Sequence, residues 1–139
     1  MTLDELRQVT GGRRHLPPQD SSQEVERITD DSRDVTTGAL FFALVGAYAD
    51  GHAYIIDAIR AGAKAVVAEQ RISEYDEHAA RDAGVAILFV HDSLRAFHAV
   101  ARHYRLSAQN LSVVVGITGS NGKTSVKEMV AAALEHQWP

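Results

Sequence analysis

Residues 113–125 read Val113-Val114-Val115-Gly116-Ile117-Thr118-Gly119-Ser120-Asn121-Gly122-Lys123-Thr124-Ser125. An apolar, β-branched run enters a glycine-rich turn that closes on Gly122-Lys123-Thr124. Glycines let backbone N–H groups curl around phosphate oxygens. A lysine then reaches the terminal phosphates, and a Thr hydroxyl can hold Mg²⁺. The loop departs from G-x-x-x-x-G-K-[ST], because position 117 is isoleucine where that pattern has glycine. What remains is Gly119-x-x-Gly122-Lys123-Thr124. Its context is the one a phosphate loop needs, with a strand-like run before it and a helix-like segment after it.

A second set of polar residues lies earlier in the chain. Asp30 and Asp31 are adjacent, so on a strand they point to opposite faces and do not form an acid–base pair. Asp31-Ser32-Arg33 places a hydroxyl and a guanidinium at a strand exit, where they can hold a phosphate or a base edge. Asp50-Gly51-His52 sits at a loop-to-helix junction, a place that favours anionic groups. By spacing alone, Asp50 is an N-cap and His52 a first-turn surface residue. The seven histidines show no metal spacing: His98 and His103 are five apart, and there is no H-E-x-x-H.

The elements that must position these residues follow from periodicity. Thr2-x-x-Glu5 is a capping box opening a short helix with Leu3, Leu6 and Val9 inside, stopped at Gly11-Gly12. His15 to Ser22, with Pro17-Pro18, reads as loop. Val25 to Thr29 alternates like a half-buried strand, Asp30 to Arg33 is a polar corner, and Thr37-Gly38 is a turn. Leu40 to Leu44 is a short apolar strand, and Gly46 to Gly51 is a loop. Asp50 then caps a helix with Tyr54, Ile55, Ala58 and Ile59 as its apolar stripe, ended by Gly62. Ala65 to Ala68 is a strand, Ser73 to Asp82 a helix stopped by Gly84, and Ala86 to Val90 a strand. Asp92 or Ser93 caps a helix whose inner face is Leu94, Phe97, Val100, Ala101 and Tyr104. Val113 to Thr118 is the last strand and Thr124 to His136 the last helix. Strands alternating with helices of this length predict α/β units on a largely parallel sheet. The polar stretch Ser107 to Asn110 is the expected domain boundary. Trp138 is expected to be an exposed residue near the end.

Composition bounds the function classes. The chain has 139 residues, 45% hydrophobic and 23% charged, enough for a real core. A net charge of −4 gives no electrostatic case for nucleic-acid binding. There is no cysteine, so disulfides, thiolate metal sites and cysteine nucleophiles are excluded, which fits a reducing cytoplasm. No apolar run approaches the roughly 20 residues of a membrane span, and residues 1–7 carry no signal-peptide core.

Taken in order, Asp31-Ser32-Arg33, Gly38-x-Leu40-Phe41-x-Ala43-Leu44-x-Gly46, Asp50-Gly51-His52 and Ala58-x-x-x-Gly62-Ala63-x-Ala65 resemble the N-terminal substrate domain of the Mur ligases of peptidoglycan synthesis. The run from Val115 to Glu128 resembles the start of their central ATP-binding domain. The resemblance implies a small α/β domain over 1–108 that binds the UDP substrate. Residues 109–139 would then be the first strand, phosphate loop and helix of a truncated ATP-binding domain. Gly119, Ser120, Asn121, Gly122, Lys123, Thr124 and Ser125 would hold ATP, with Thr124 on Mg²⁺ and Lys123 stabilising charge during transfer. Ser32, Arg33, Phe41, Ala43, Gly46, Asp50, Gly51 and His52 would line the uridine-diphosphate pocket.

Ser120, Ser125 and Lys127-Glu128 are most similar to family members that add D-alanyl-D-alanine to UDP-N-acetylmuramoyl-tripeptide. Members that add the third amino acid to UDP-N-acetylmuramoyl-dipeptide are the alternative. The implied chemistry is phosphorylation of the peptide carboxylate, attack of the incoming amine on the acyl phosphate, and collapse to amide, ADP and phosphate. The chain is expected to be a monomeric N-terminal piece that does not ligate alone. A non-catalytic UDP-sugar-binding module and a small phosphate-loop regulator stay open on sequence.

Overall fold

In the computed structural model the described residues are 1–16, 22, 24–47, 49–108 and 113–135. The chain divides into two compact units, Met1–Ser107 and Ala108–Pro139.

The first unit is α/β. In chain order it runs α1 (Leu3–Thr10), β1 (Arg13–Leu16), β2 (Arg27–Thr29), β3 (Ala39–Phe42), α2 (Ile55–Arg60), β4 (Ala65–Ala68), α3 (Glu74–Ala83), β5 (Ala86–Phe89) and α4 (Ser93–Ser107). Single 3₁₀ turns cover Ser32–Asp34 and Gly51–Tyr54. The five strands lie in the order β1-β5-β4-β3-β2. From β2 to β5 the pairing is parallel, and β1 closes the far edge antiparallel to β5.

Central strands are buried on both faces, which is why Ala39–Phe42 and Ala65–Ala68 are unbroken apolar runs. One face packs Phe41, Val66 and Ile87 against Ile55, Ala58 and Ile59 of α2 and Ala80 of α3. The other packs Leu40, Phe42, Val67 and Leu88 against Leu3 and Leu6 of α1 and Ala96 and Val100 of α4. Each new parallel strand is added on the same side of the last, so both crossover helices fall on one face.

The ends of the elements follow local chemistry. Thr2 and Glu5 make both bonds of the capping box, at 3.2 and 2.8 Å, and Gly11 closes α1 with φ 65°. The Ser73 hydroxyl accepts the Asp76 N–H to start α3, and Gly84 ends it with φ 69°. The Asp92 carboxylate accepts the Arg95 N–H at 2.8 Å, so Asp92 caps α4.

Four expectations change. Arg13–Leu16 is an edge strand where a loop from His15 was expected. Its residues carry no apolar alternation, and backbone pairing with β5 makes it. Pro17 and Pro18 lie outside the described residues. Tyr54 stands exposed and does not join the α2 stripe. In α4 the buried residues are Ser93, Ala96 and Val100, with Phe97 packed beside them, while Leu94 and Tyr104 are exposed. By the 3.6-residue period Leu94 falls off that face, whereas Tyr104 falls on it and is exposed near the C-terminal end of the helix. Finally, residues 113–118 form no strand. Val113, Val114 and Val115 are all exposed, because a strand needs a neighbour for its N–H and C=O groups and none pairs with them among the described residues.

In the second unit the one described element is α5 (Lys123–Glu135). His136, Trp138 and residues 109 and 110 of the expected boundary lie outside the described residues. No helix among the described residues is long and apolar enough to cross a membrane.

Candidate functional site

Parallel α/β sheets offer ligands the crevice beyond the carboxyl ends of their strands. Here β2 and β3 run out at that edge into the two polar motifs. After β2, the Thr29 hydroxyl accepts the Asp31 N–H at 3.1 Å, which turns the chain. Asp31 Oδ1 then accepts the Arg33 backbone N–H at 3.0 Å and its Nε–H at 2.9 Å. These bonds hold the Asp31 carboxyl down at about 2, the Arg33 side chain being the largest cause, and push the Arg33 guanidinium up in turn. Ser32 opens the 3₁₀ turn between them.

After β3, the chain leaves the sheet and returns at once. The Gly51 N–H donates to the Leu44 carbonyl at 2.8 Å, and the Gly46 N–H to the Ala49 carbonyl at 2.9 Å. A Cβ on Gly51 would lie 2.7 Å from the Leu44 nitrogen and 2.9 Å from Ala43 backbone atoms. Glycine is required there for close backbone approach.

These two loops and the head of α2 enclose a cavity of about 710 Å³. Ser32, Arg33, Gly46 and Gly51 line it, together with Tyr54, Ala49 and the carboxylates of Asp30, Asp31 and Asp57. Four of the residues singled out for the uridine-diphosphate pocket therefore meet. The other four sit elsewhere. Phe41 and Ala43 are core residues, 1% and 0% exposed. Asp50 and His52 are not in the cavity wall. Tyr54 was missed as a wall residue; the signal was an aromatic at the solvent end of a helix stripe, which the burial rule counted as core.

His52 is neither a surface residue nor a wall residue. Its side chain is 12% exposed. Asp50 Oδ1 accepts the His52 backbone N–H at 2.9 Å and faces ring Nδ1 at 2.6 Å, with the Asp50 carboxyl held below its ordinary value chiefly by the backbone bond. Nε2 accepts the backbone N–H groups of Glu69 and Gln70 at 3.2 and 3.3 Å. Two donors aimed at Nε2 put the ring proton on Nδ1. Glu69 Oε2 in turn accepts the Ser93 N–H at 2.8 Å. The loops after β3, β4 and β5 are thus joined along one edge of the sheet.

In the second unit, Gly119 has φ 153° and Gly122 φ 76°, both left-handed values that favour glycine. The Gly122 carbonyl accepts the Val126 N–H at 3.0 Å, and α5 begins at Lys123. Lys123 Nζ folds back to donate to the Gly119 carbonyl at 2.6 Å. The turn, the helix start and the inward lysine fit a phosphate group. The side chains of Ser120, Asn121, Thr124 and Ser125 make no hydrogen bond to other described residues. Thr124 is the second residue of the helix, where a hydroxyl can reach a phosphate-bound Mg²⁺. No cluster of metal-ligating side chains exists among the described residues.

Comparison with known proteins gives the following. The family description "Mur ligase family, catalytic domain" matches residues 24–105. The chain is 39% identical over 113 residues to the UDP-N-acetylmuramoyl-tripeptide–D-alanyl-D-alanine ligase of Treponema pallidum, a match covering 80% of this chain and 24% of that protein. It is 38% identical over 107 residues to the UDP-N-acetylmuramoyl-L-alanyl-D-glutamate–2,6-diaminopimelate ligase of Listeria innocua, covering 77% and 20%. Among solved structures, MurF from Acinetobacter baumannii superposes with TM-score 0.74 and 32% identity over 99% of this chain and 28% of that one. MurF from Thermotoga maritima in complex with ADP gives TM-score 0.60 and 32% identity, over 81% and 24%. The chain spans about a fifth to a quarter of the length of these curated relatives.

Proposed function

The chain belongs to the Mur ligase family, and on that premise we propose that it is the substrate-binding portion and first ATP-binding element of a peptidoglycan-precursor ligase. Residues 1–108 would bind the UDP-N-acetylmuramoyl peptide and residues 109–139 would begin the ATP-binding domain. The cavity at the β2–β3 edge carries this reading. Asp30, Asp31 and Asp57 supply acceptors there, against a single guanidinium that Asp31 already engages. That balance suits hydrogen-bond donors such as a uracil N–H and ribose hydroxyls, with Ser32 as a further partner and the exposed Tyr54 ring as a stacking surface.

ATP bound with Mg²⁺ would supply the phosphoryl group that activates the peptide carboxylate. This chain's own residues would hold it: backbone N–H groups of the Gly119–Gly122 turn around the phosphates, Lys123 against their charge, and Thr124 toward the metal. The ADP bound in the Thermotoga maritima neighbour supports a nucleotide reading of this segment.

D-alanyl-D-alanine is the incoming substrate we favour, from the Ser120, Ser125 and Lys127-Glu128 pattern and the MurF neighbours. A ligase adding diaminopimelate is the second reading, since relatives of that name match equally well. Calorimetric titration of the chain with UDP-N-acetylmuramoyl-tripeptide, and separately with the dipeptide, tests the reading. Saturable binding that Ser32→Ala weakens about tenfold supports it. Absence of binding by either ligand overturns it.

A further inference from the structure

A second cavity, of about 420 Å³, opens on the same edge of the sheet where β4 and β5 end. Its wall includes Gln70 and Arg71 from the loop after β4, Phe89 and His91 from the end of β5, and Arg13 from the start of β1. Arg13 pairs directly with Phe89 in the antiparallel ladder, so backbone register fixes its place beside the cavity. Among the described residues, Arg13, Arg71 and His91 have no hydrogen-bond or ion-pair partner for their side chains.

The Arg13 and Arg71 guanidiniums in the wall of one cavity repel each other and have no ion-pair partner among the described residues around them. Elsewhere in this unit Arg14, Arg33 and Arg81 are matched to Asp4, Asp31 and Glu77, while Arg7, Arg95, Arg102 and Arg105 are also without an ion-pair partner among the described residues; what sets Arg13 and Arg71 apart is that they share the wall of one cavity. The wall also holds one carboxylate, Glu69. It is engaged with the Ser93 N–H at the head of α4, where a helix N-terminus favours negative charge. The two guanidiniums are left with unused forks of donors, and His91 offers a ring N–H in either protonation state. The backbone beneath is fixed, because the Glu69 and Gln70 N–H groups are tied to His52.

The two cavities carry opposite charge. The first presents three carboxylates to one engaged guanidinium; this one presents two free guanidiniums and an imidazole to one engaged carboxylate, Glu69. We propose that the cavity formed by Arg13, Arg71 and His91 is a second ligand site, for a small phosphate-bearing molecule with at least two negative charges. Guanidinium forks match phosphate oxygens two at a time, and the volume exceeds that of a single phosphate.

Inorganic pyrophosphate is the probe, read by amide chemical shifts of the full 139-residue chain. Saturable shifts at Gln70, Arg71 and His91, with Ser32 and Gly51 unmoved, are expected. Arg71→Ala should weaken pyrophosphate binding about tenfold, and Arg13→Ala with Arg71→Ala more, while the spectrum outside the cavity stays unchanged. Uridine, titrated separately, should move Ser32 and Gly51 and not His91. Uridine failing to bind would count against the first cavity alone. Pyrophosphate shifts confined to Ser32 and Gly51, no saturable shift, or equal affinity in the double variant would overturn this site.

Discussion

Asp50 and His52 form a closed unit: one carboxylate oxygen takes both the backbone N–H and the ring Nδ1–H of the same histidine, leaving Nε2 to accept from Glu69 and Gln70. The motif's histidine therefore braces the loops after β3 and β4. Removing it leaves two backbone donors without an acceptor, that of Glu69 in a part-buried place and that of Gln70 in an exposed one. His52→Ala should cost about 1–3 kcal/mol in urea denaturation. Asn and Gln variants, which keep an acceptor, should lose less. A His52→Ala chain as stable as the parent would refute the brace.

Gly51 has a different reason to be glycine. Its φ is ordinary, but the space for a side chain is taken by the backbone of Ala43 and Leu44. Gly51→Ala must push the β3 exit away from the head of α2, at about 1–3 kcal/mol by the usual cost of overpacking. Because that exit lines the first cavity, uridine-nucleotide affinity should fall together with the melting temperature. Loss of neither would show that the loop relaxes freely.

The Asp31–Arg33 pair makes a pH prediction whose sign is fixed. The Asp31 carboxyl sits at about 2 against an ordinary 3.8. Its contribution to stability is therefore present above about pH 4 and is lost as pH falls toward 2. Arg33→Ala removes the main cause and should return the carboxyl toward 3.8 in a carbon-detected NMR titration. A carboxyl that stays near 2 in that variant would assign the shift to the backbone N–H of residue 33 instead.

Phe41 and Ser32 separate core from site. Phe41 is fully buried, so Phe41→Ala should cost about 3–5 kcal/mol. Phe41→Leu should keep the fold and the nucleotide affinity together. Ser32→Ala should do the reverse, leaving stability within about 0.5 kcal/mol and weakening the uridine nucleotide. Affinity that drops in a well-folded Phe41→Leu chain would return Phe41 to the pocket.

Legibility in the sequence tracked how local the cause was. The strands β3, β4 and β5 are continuous apolar runs, and the caps of α1, α3 and α4 are set within three residues, so both could be read directly. Arg13–Leu16 could not, since its strand character comes from a partner more than seventy residues away. The α4 face was misread because Leu94 is apolar yet lies off the Ser93–Ala96–Val100 face, while Tyr104 shares that face but is exposed near the end of the helix. In the site, Ser32, Arg33, Gly46 and Gly51 line one cavity, a grouping that the family resemblance, and not spacing, had implied. The partners of His52 Nε2 lie 17 and 18 residues on. Only the adjacency of β3 and β4 brings them into reach, so spacing alone made it a surface residue.

The phosphate loop yields the last prediction. Lys123 Nζ lies on the Gly119 carbonyl at 2.6 Å, the position a phosphate oxygen would contest. Nucleotide binding must break that bond and also fix residues 113–118, which no ladder holds among the described residues. Ordering each residue costs about 1–2 kcal/mol. Mg·ADP should therefore bind this 139-residue chain only in the millimolar range by amide shift titration, with perturbations centred on Gly119 to Thr124. Lys123→Ala should abolish even that. Micromolar or tighter affinity would show that the Val113–Val115 entry is ordered without a strand partner, and an unaffected Lys123→Ala variant would take the lysine out of the phosphate site.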